Sequence, residues 1–595
     1  MLPASVVTLR SSLAAATRLS LIAARCHASL GTQHVQASTT GIKEEVQFPV
    51  SATVSEPTPA QMTAVSFEMV CKRVEEGNEV GLPNGAVVAA LRKLLTSPQQ
   101  DSRMMECFAH SILWRSRRMD LMNLCTLLSL HVKHQKDSEM EQRVVEHLRT
   151  VIRERLSEAR TVGDIVWLLE TAEHMGATEE RRKFVLEVQD RALQLVISLP
   201  HSDVRLLVRT LARLKLRPTP LLQALAFYLS KGPKDASPKE IVSLFHAFHS
   251  LSFPEPSVLL QLSTAFVEQL SDNTKASLVA ACFTGVGQLS WRHCELLESC
   301  SSWMVTHRAS CRPNDFTACL LALARLQYMP ECSDQLFPML LEELFEDHFS
   351  SMPSVWLDIV WSLAALGKVK QTHLDSVLQP HFYTPLLEDS SLAVPSRQKL
   401  LNIITVNDLE FPDGPCFPKE MVESIVQNYK VPEAGALQRS VREALTQLAP
   451  LGRYLSQNPS LPYGLTADGE LVVDKNAQPI LLDSKLEPDH HRIVLVVLDY
   501  KDLTLHSQVP TGVNALRMRL LKHLGYKVLQ SHPTDVLAEF RKSGTSTLTL
   551  LIREISMKWF PTWSMMTKSL PCKESNTCMR SYSNVLLGPK YHCTY

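Results

Sequence analysis

Apolar and polar positions repeat along the middle of the chain with a period of 37 to 40 residues. Five copies of one phrase read VRTLARLKLRP, LFHAFHSLSFP, CFTGVGQLSWR, LLALARLQYMP and VWSLAALGKVK. Each copy is an apolar helical segment that ends in a leucine and a short turn. The marker leucines lie 37, 38, 37 and 40 residues apart, at Leu214, Leu251, Leu289, Leu326 and Leu366. Such a period predicts a solenoid of helical hairpins, in which each unit buries its apolar face against its neighbours.

Weaker copies precede these five. IVWLLETAEHMG resembles the phrase, with Met175 in the marker place, and LCTLLSLHVKH near Leu130 is an earlier copy. Terminal units of a solenoid are atypical because they cap the stack. We therefore predict one continuous α-solenoid over residues 63–385. Its long surface suits an extended partner, such as single-stranded RNA or a peptide, and favours a binding scaffold over an enzyme.

Beyond residue 385 the pattern changes to strands. A connecting region with proline-containing loops covers residues 386–460, and YGLTADGELVVDKNAQPILL then predicts two short strands joined by a turn. RIVLVVLDY is a β-branched run typical of a buried strand. NALRMRLLKHLG predicts an amphipathic helix, and YKVLQ a further strand. This order predicts a small α/β unit, with three leucines on the inner side of its helix: Leu516, Leu520 and Leu524.

The N-terminus has a different composition. Arg10, Arg18 and Arg25 are spaced through Ser, Thr, Ala and Leu, and no acidic residue precedes Glu44. This composition predicts a mitochondrial transit peptide over residues 1–40; the alternative is an unstructured tail with incidental charge. The next residues, 41–62, read as a flexible linker. No run of 18 apolar residues occurs, so the sequence predicts no membrane span.

The charge balance limits where nucleic acid could bind. The chain has 61 basic and 61 acidic residues, so any affinity for RNA must come from local patches. The segment 204–234 contains seven basic residues and no acidic one. Arg205, Arg209 and Arg213 recur at every fourth position and so form one stripe along a helix, and Arg217 follows them.

A basic stripe of this kind suits contacts with phosphates. The alternative is that acidic residues of a neighbouring repeat pair with it. A second, weaker basic cluster contains Arg115, Arg117 and Arg118. The fourteen cysteines include no CxxC spacing, which favours buried free thiols over a metal site.

The solenoid, the strand pair, RIVLVVLDY and ALRMRLLKHLGYKVLQ together resemble the FAST kinase domain-containing proteins of mitochondria, whose C-terminal module is the RAP domain. The resemblance covers about residues 160–530. It implies a protein of the mitochondrial matrix that binds mitochondrial RNA, regulates mRNA processing and stability, and meets other RNA-granule proteins. In the RAP module, Arg517, Arg519 and Lys522 are further candidates for RNA contact.

Kinase chemistry finds no support in the sequence. GxGxxG, GxxxxGK, HRD and DFG motifs are all missing, so nothing is placed to hold ATP phosphates, and no cofactor is expected. The module also departs from the RAP pattern after Gln530, where a closing helix is expected. We therefore predict an incomplete RAP domain over 461–540 and a disordered tail over 541–595. Trp559, Phe560 and Trp563 are the exception, because they could dock in place of the closing helix.

Two other functions stay open. The RAP module resembles a restriction-endonuclease-like fold, whose site holds Mg²⁺ between carboxylates beside a lysine. The residues that could form such a site in this chain are Asp468, Glu470, Asp474, Asp499 and Lys501. Asp499 and Lys501 would share one face of a strand, since they lie two residues apart. The third possibility is a protein-binding scaffold, which an acidic or apolar concave surface would favour.

Overall fold

A computed structural model describes residues 66–96, 102–134, 139–232, 235–388, 393–412, 414, 417–427, 434–435, 437–439, 441–442, 453–474, 479–483 and 487–531. The predictions of a transit peptide, a linker and a tail with docking aromatic residues lie outside these residues. The described residues form two compact units. The first extends to Ile403 and includes Leu503–Ala515, and the second comprises 404–502 and the residues from Leu516 onward.

The first unit is helical, as the period predicts. Its helices in chain order are α1 (Phe67–Glu75), α2 (Asn84–Thr96), α3 (Ser102–Arg115), α4 (Leu121–Lys133), α5 (Glu139–Glu154), α6 (Val162–Thr171), α7 (Thr178–Val196), α8 (His201–Arg213), α9 (Thr219–Leu229), α10 (Pro238–Ser250), α11 (Pro256–Gln269), α12 (Ala276–Gln288), α13 (Cys294–Thr306), α14 (Pro313–Leu326), α15 (Ser333–Glu343), α16 (Pro353–Ala365), α17 (Gln371–Val377) and α18 (Pro380–Glu388). Two helices follow, α19 (Ala393–Glu410) and α20 (Lys419–Gln427).

These helices stack in two layers. From α2 to α16, each even-numbered helix packs against the next even-numbered one. The odd-numbered helices form the other layer, in which α3 packs on α5, α7 on α9, α11 on α13 and α13 on α15. Short loops between consecutive helices make neighbours antiparallel, so all helices of one layer run in the same direction. The predicted solenoid, including its earlier copies, is therefore confirmed within the described residues.

The marker leucine ends each even-numbered helix from α8 to α16. The residue after it has a left-handed backbone conformation in all five copies, with φ of 52°, 47°, 55°, 49° and 68° at Lys215, Ser252, Ser290, Gln327 and Gly367. The next residue then donates its N–H to a carbonyl five residues back, as Leu216 does to Leu211 at 3.0 Å. This is the Schellman cap of a helix C-terminus. The repeated phrase is thus a repeated helix ending.

The first unit also contains Leu503–Ala515, which the sequence pattern did not place there. Leu505 N donates to the carbonyl of Ser290 at 2.7 Å, and Leu505 O accepts from Arg292 N at 3.2 Å. Trp291 lies between Ser290 and Arg292 in the chain. Its ring is buried, and its Nε1 donates to Ser263 Oγ at 2.9 Å. The turn after α12 therefore pairs with this segment as a short parallel bridge.

The second unit contains the predicted strands and helix. Its strands are β1 (Leu455–Gln457), β2 (Gly469–Val473), β3 (Pro479–Ile480), β4 (His491–Val497) and β5 (Lys527–Ser531). Its helix is the part of α21 (Gly512–His523) from Leu516 onward. The sheet has the order β1-β2-β4-β5, with β3 also pairing with β2. All neighbours are antiparallel except β4 and β5, which are parallel. The predicted small α/β unit is confirmed, and β1 is an addition to it.

Apolar side chains from alternate strand positions form the core of this sheet. One face buries Leu455, Val473, Ile493, Leu495 and Leu529 together with Val441, which comes from a helical stretch over 441–442. On α21, Leu516 and Leu520 are buried and Leu524 is partly exposed. Gly525 follows the helix with φ of 86°, as expected for its predicted place at the helix end.

Candidate nucleic-acid interface

The first residue of the predicted basic stripe is buried between repeats. Arg205 on α8 is 5% exposed, and its Nε lies 3.4 Å from Glu240 Oε1 on α10. Glu240 also accepts the backbone N–H of Ser237 at 3.1 Å, which caps the start of α10. Arg205 therefore does not lie on an open stripe. Its position on α8 faces the next repeat, where the acidic cap of α10 neutralises it.

The rest of the stripe is also engaged. Arg213 forms an ion pair with Glu170 of the preceding repeat, and Arg209 is half-buried near Glu240. Burial acts to raise the pKa of Glu240, but the Ser237 hydrogen bonds and the charges of Arg205 and Arg209 outweigh it and lower that pKa. For Arg205 and Arg213, the structure has the stated alternative, which is pairing with acidic residues of neighbouring repeats.

Arg217 has a different position. It is exposed, and its Nη2 donates to the carbonyl of Ser252 at 2.8 Å, which joins two successive turns at the end of the even layer. Two repeats further along the chain, Arg292 makes a similar bond, from its Nε to the carbonyl of Leu326 at 3.1 Å. The guanidinium of Arg217 thus has a structural partner.

The turns that follow the even-numbered helices form one row. The turns that lead from each odd-numbered helix into the next even-numbered helix form a second row, which we call the turn edge. Side-chain bonds connect its successive turns. Arg155 Nη1, after α5, donates to the carbonyl of Met119, which follows α3. Gln269 Nε2, at the end of α11, donates to Ala236 O at 3.0 Å, and Trp303 Nε1 on α13 donates to Ser271 O at 2.9 Å. These bonds hold several neighbouring turns of the edge together.

The weaker basic cluster of the sequence lies at the first described turn of this edge, and the structure divides it. Arg115 is buried and pairs with Glu79, with 2.7 Å between Nε and Oε2. Arg117 and Arg118 are exposed, and neither forms an ion pair within the described residues. Beside them Trp114 is 60% exposed, with the guanidinium of Arg118 5.6 Å from its ring centre.

A similar pair of side chains lies further along the turn edge. Phe227 near the end of α9 is 56% exposed, and the Lys231 ammonium lies 4.1 Å from its ring centre. Two more cations of the edge, Arg160 before α6 and Lys275 before α12, are exposed and form no salt bridge among the described residues, although the charge of Arg160 helps to lower the pKa of Glu158. The turn edge thus combines unpaired cations with exposed aromatic rings, the composition that binds single-stranded nucleic acid.

The predicted RNA contacts of the second unit are largely engaged with its own residues. Arg517 Nη1 donates to Thr466 Oγ1 at 3.1 Å. Arg519 Nε lies 2.9 Å from Glu410 Oε1 in an ion pair, and both side chains are mostly buried. Lys522 is exposed at the end of α21. Of these three candidates, Lys522 presents its charge most openly to solvent.

The nuclease candidates on the first strands have partners in the fold. Asp468 is 3% exposed; its Oδ1 accepts from Arg442 Nη2 at 2.8 Å and its Oδ2 from Val497 N at 2.8 Å. Glu470, in the middle of β2, lies 3.6 Å from Arg492 Nε. Asp474 is partly buried where β2 ends. The Asp468 carboxylate joins β2 to β4, and both of its oxygens are occupied.

Asp499 and Lys501 do not share the face of a strand, because β4 already ends at Val497. Asp499 Oδ1 accepts from Tyr500 N at 2.8 Å, and Asp502 Oδ2 accepts from Asp499 N at 2.9 Å. These bonds turn the chain into a short 3₁₀ helix, where Lys501 is exposed. The face-sharing prediction for this pair is therefore wrong.

The described residues show no sign of two other kinds of site. No three His, Cys, Asp or Glu side chains there come close enough together to hold a metal ion. No described helix is long and apolar enough to cross a membrane. The nine described cysteines are free thiols, and burial raises the pKa of Cys125 to about 12. A thiol with such a pKa is unreactive near neutral pH.

Comparison with known proteins shows which family the chain resembles. It matches the model of FAST kinase-like protein, subdomain 1, over residues 316–387, and that of subdomain 2 over residues 397–481. FAST kinase domain-containing protein 4 of Rattus norvegicus is 26% identical over 468 residues, which cover 75% of this chain and 72% of the relative. FAST kinase domain-containing protein 3, mitochondrial, of Homo sapiens is 24% identical over 495 residues, 78% of this chain and 71% of the relative.

Proposed function

We propose that this chain, which matches both subdomains of the FAST kinase-like family, binds single-stranded RNA in mitochondria and regulates the processing and stability of mRNA. The matrix is the proposed compartment. The proposal takes the solenoid as the RNA-binding surface and needs no cofactor. It carries over the expectation that other proteins of mitochondrial RNA granules are partners.

One observation carries the proposal. Trp114 exposes most of its ring to solvent beside Arg117 and Arg118, whose charges have no acidic partner within the described residues. An exposed tryptophan offers a face on which any base can stack, and the guanidinium groups supply the phosphate contacts. Elsewhere on the solenoid, Arg205 and Arg213 pair with acidic residues, so the unpaired state of this cluster sets it apart.

The relatives support the place of action. A relative similar over 78% of this chain is named mitochondrial. The acid-poor, arginine-containing N-terminus agrees with import, because a transit peptide has this composition. Replacing Arg10, Arg18 and Arg25 together with Glu should keep a fluorescent fusion out of mitochondria. Unchanged import of that variant would contradict the proposed targeting.

Binding is tested by fluorescence anisotropy of the whole chain with labelled single-stranded RNA, with the same RNA in a duplex as control. We expect tighter binding to the single strand and a dissociation constant that rises with salt, because phosphate contacts release counterions. The bound RNA is then examined on a denaturing gel with and without Mg²⁺. Equal affinity for both forms, or no binding, would contradict the proposal, and cleavage that needs Mg²⁺ would favour a nuclease.

A further inference from the structure

We propose that one RNA strand follows the turn edge and stacks bases on two platforms, Trp114 and Phe227. This inference rests on the proposed function and goes further, because it assigns the path and the stacking residues. It moves the RNA from the stripe on α8 to the turns that join the two helix layers.

The two platforms have the same construction. Each is an exposed aromatic ring near the end of an odd-numbered helix, with a cation four residues later that lies against the ring. The cation keeps the ring partly fixed through the attraction between its charge and the π face. Because the helices of the odd layer run in the same direction, both platforms lie at the same edge of the solenoid.

The spacing of the platforms suits one strand. Trp114 belongs to α3 and Phe227 to α9, three steps apart in the odd layer. Helix α3 packs on α5 and α7 on α9, and an ion pair of 3.9 Å joins Arg153 of α5 to Glu187 of α7. At about 9 Å or more for each step, the platforms are separated by at least about 27 Å. A strand with the rise of about 3.4 Å per phosphate that it has in a duplex covers this distance with about eight nucleotides, and an extended strand needs fewer. Between them lies Arg160, whose charge can meet the backbone.

The last turn of the edge, before α16, places carboxylates directly beside its exposed ring. Phe345 after α15 is also an exposed ring, 43% exposed, and it lies 3.7 Å from the ring of His348. Its neighbours, however, are Glu346 and Asp347, and these carboxylates repel phosphate. The path therefore ends before this turn. Phe345 provides a control, since it is an exposed aromatic residue of the same edge with the opposite charge around it.

The test uses the full chain and an oligouridine of about twelve nucleotides, long enough to reach both platforms. Trp114→Ala and Phe227→Ala should each weaken binding about tenfold, the effect of losing one stacked base, and Phe345→Ala should not. With an oligouridine of about three nucleotides, which cannot span the platforms, neither single substitution should change the dissociation constant more than about twofold, because the other platform stays available.

The outcomes separate the two proposals. Failure of the unsubstituted chain to bind any single-stranded RNA would overturn the proposed function itself. Tight binding that survives both Trp114→Ala and Phe227→Ala would leave that function in place and overturn the path. A loss in Phe345→Ala as large as in the other two would show that charge does not limit the path and would overturn its proposed end.

Discussion

Arg205 distinguishes a structural role for the α8 stripe from an RNA-binding role. Arg205→Met removes the charge and keeps most of the side-chain volume. Breaking a buried ion pair costs about 3–5 kcal/mol when the remaining charge is isolated. Here the Glu240 side chain is 29% exposed and keeps its bonds to Ser237, so the remaining carboxylate is partly satisfied. We therefore expect the free energy of unfolding to fall by about 2 kcal/mol.

Urea unfolding followed by circular dichroism measures this change, and anisotropy with single-stranded RNA measures binding in the same samples. The matched variant is Arg118→Gln, an exposed arginine without an ion pair among the described residues. It should leave stability within about 0.5 kcal/mol and reduce the salt slope of binding by about 0.7, whereas Arg205→Met should leave the slope unchanged. The reasoning is refuted if Arg205→Met reduces the slope and leaves the protein as stable as before.

Three further predictions concern stability. Lys215→Gly should raise the free energy of unfolding by about 1 kcal/mol, because glycine adopts the left-handed conformation at this helix ending without strain. Lys215→Ala should bring no such gain. Equal urea midpoints for the two variants would contradict this prediction. Burial lowers the pKa of His131 to about 4, so the folded state binds fewer protons than the unfolded state below about pH 6.5, and stability falls as the pH decreases. Between about pH 7 and pH 5, the free energy of unfolding of His131→Leu should therefore fall by about 2 kcal/mol less than that of the natural chain. An identical pH profile for the two proteins would count against the lowered pKa of His131. Asp468→Asn should destabilise the second unit by at least about 1 kcal/mol, because the amide keeps only one acceptor oxygen and either Arg442 or Val497 loses its acceptor. A chain that unfolds at the same urea concentration would disagree.

The fold was largely predictable because its signals are local and repeated. The helical phrase and the strand run RIVLVVLDY each carry their periodicity within a dozen residues. The strand β1 was missed, because three residues are too few to show alternation. The left-handed helix endings were also hidden, since four of the five are occupied by Lys215, Ser252, Ser290 and Gln327, and glycine marks the last.

The site was harder to predict, since charge and exposure depend on the neighbouring repeat. A stripe without acids on its own helix looks unpaired, yet Glu240 lies 35 residues after Arg205, close to one repeat period. A search for acids at that offset could have found the pair. Trp114, in the apolar run SILWR, reads as a core residue. Only its position at the end of α3 shows that the ring faces solvent.

The most direct test of the central claim is the salt dependence of RNA binding by a variant of the first turn. The triple substitution Trp114→Ala, Arg117→Gln and Arg118→Gln removes one stacking platform and two unpaired charges from the full chain. We predict a dissociation constant at least about tenfold higher, and a log–log salt slope smaller by about 1.4, because two phosphate contacts are lost. An affinity and a slope equal to those of the unsubstituted chain would contradict the account.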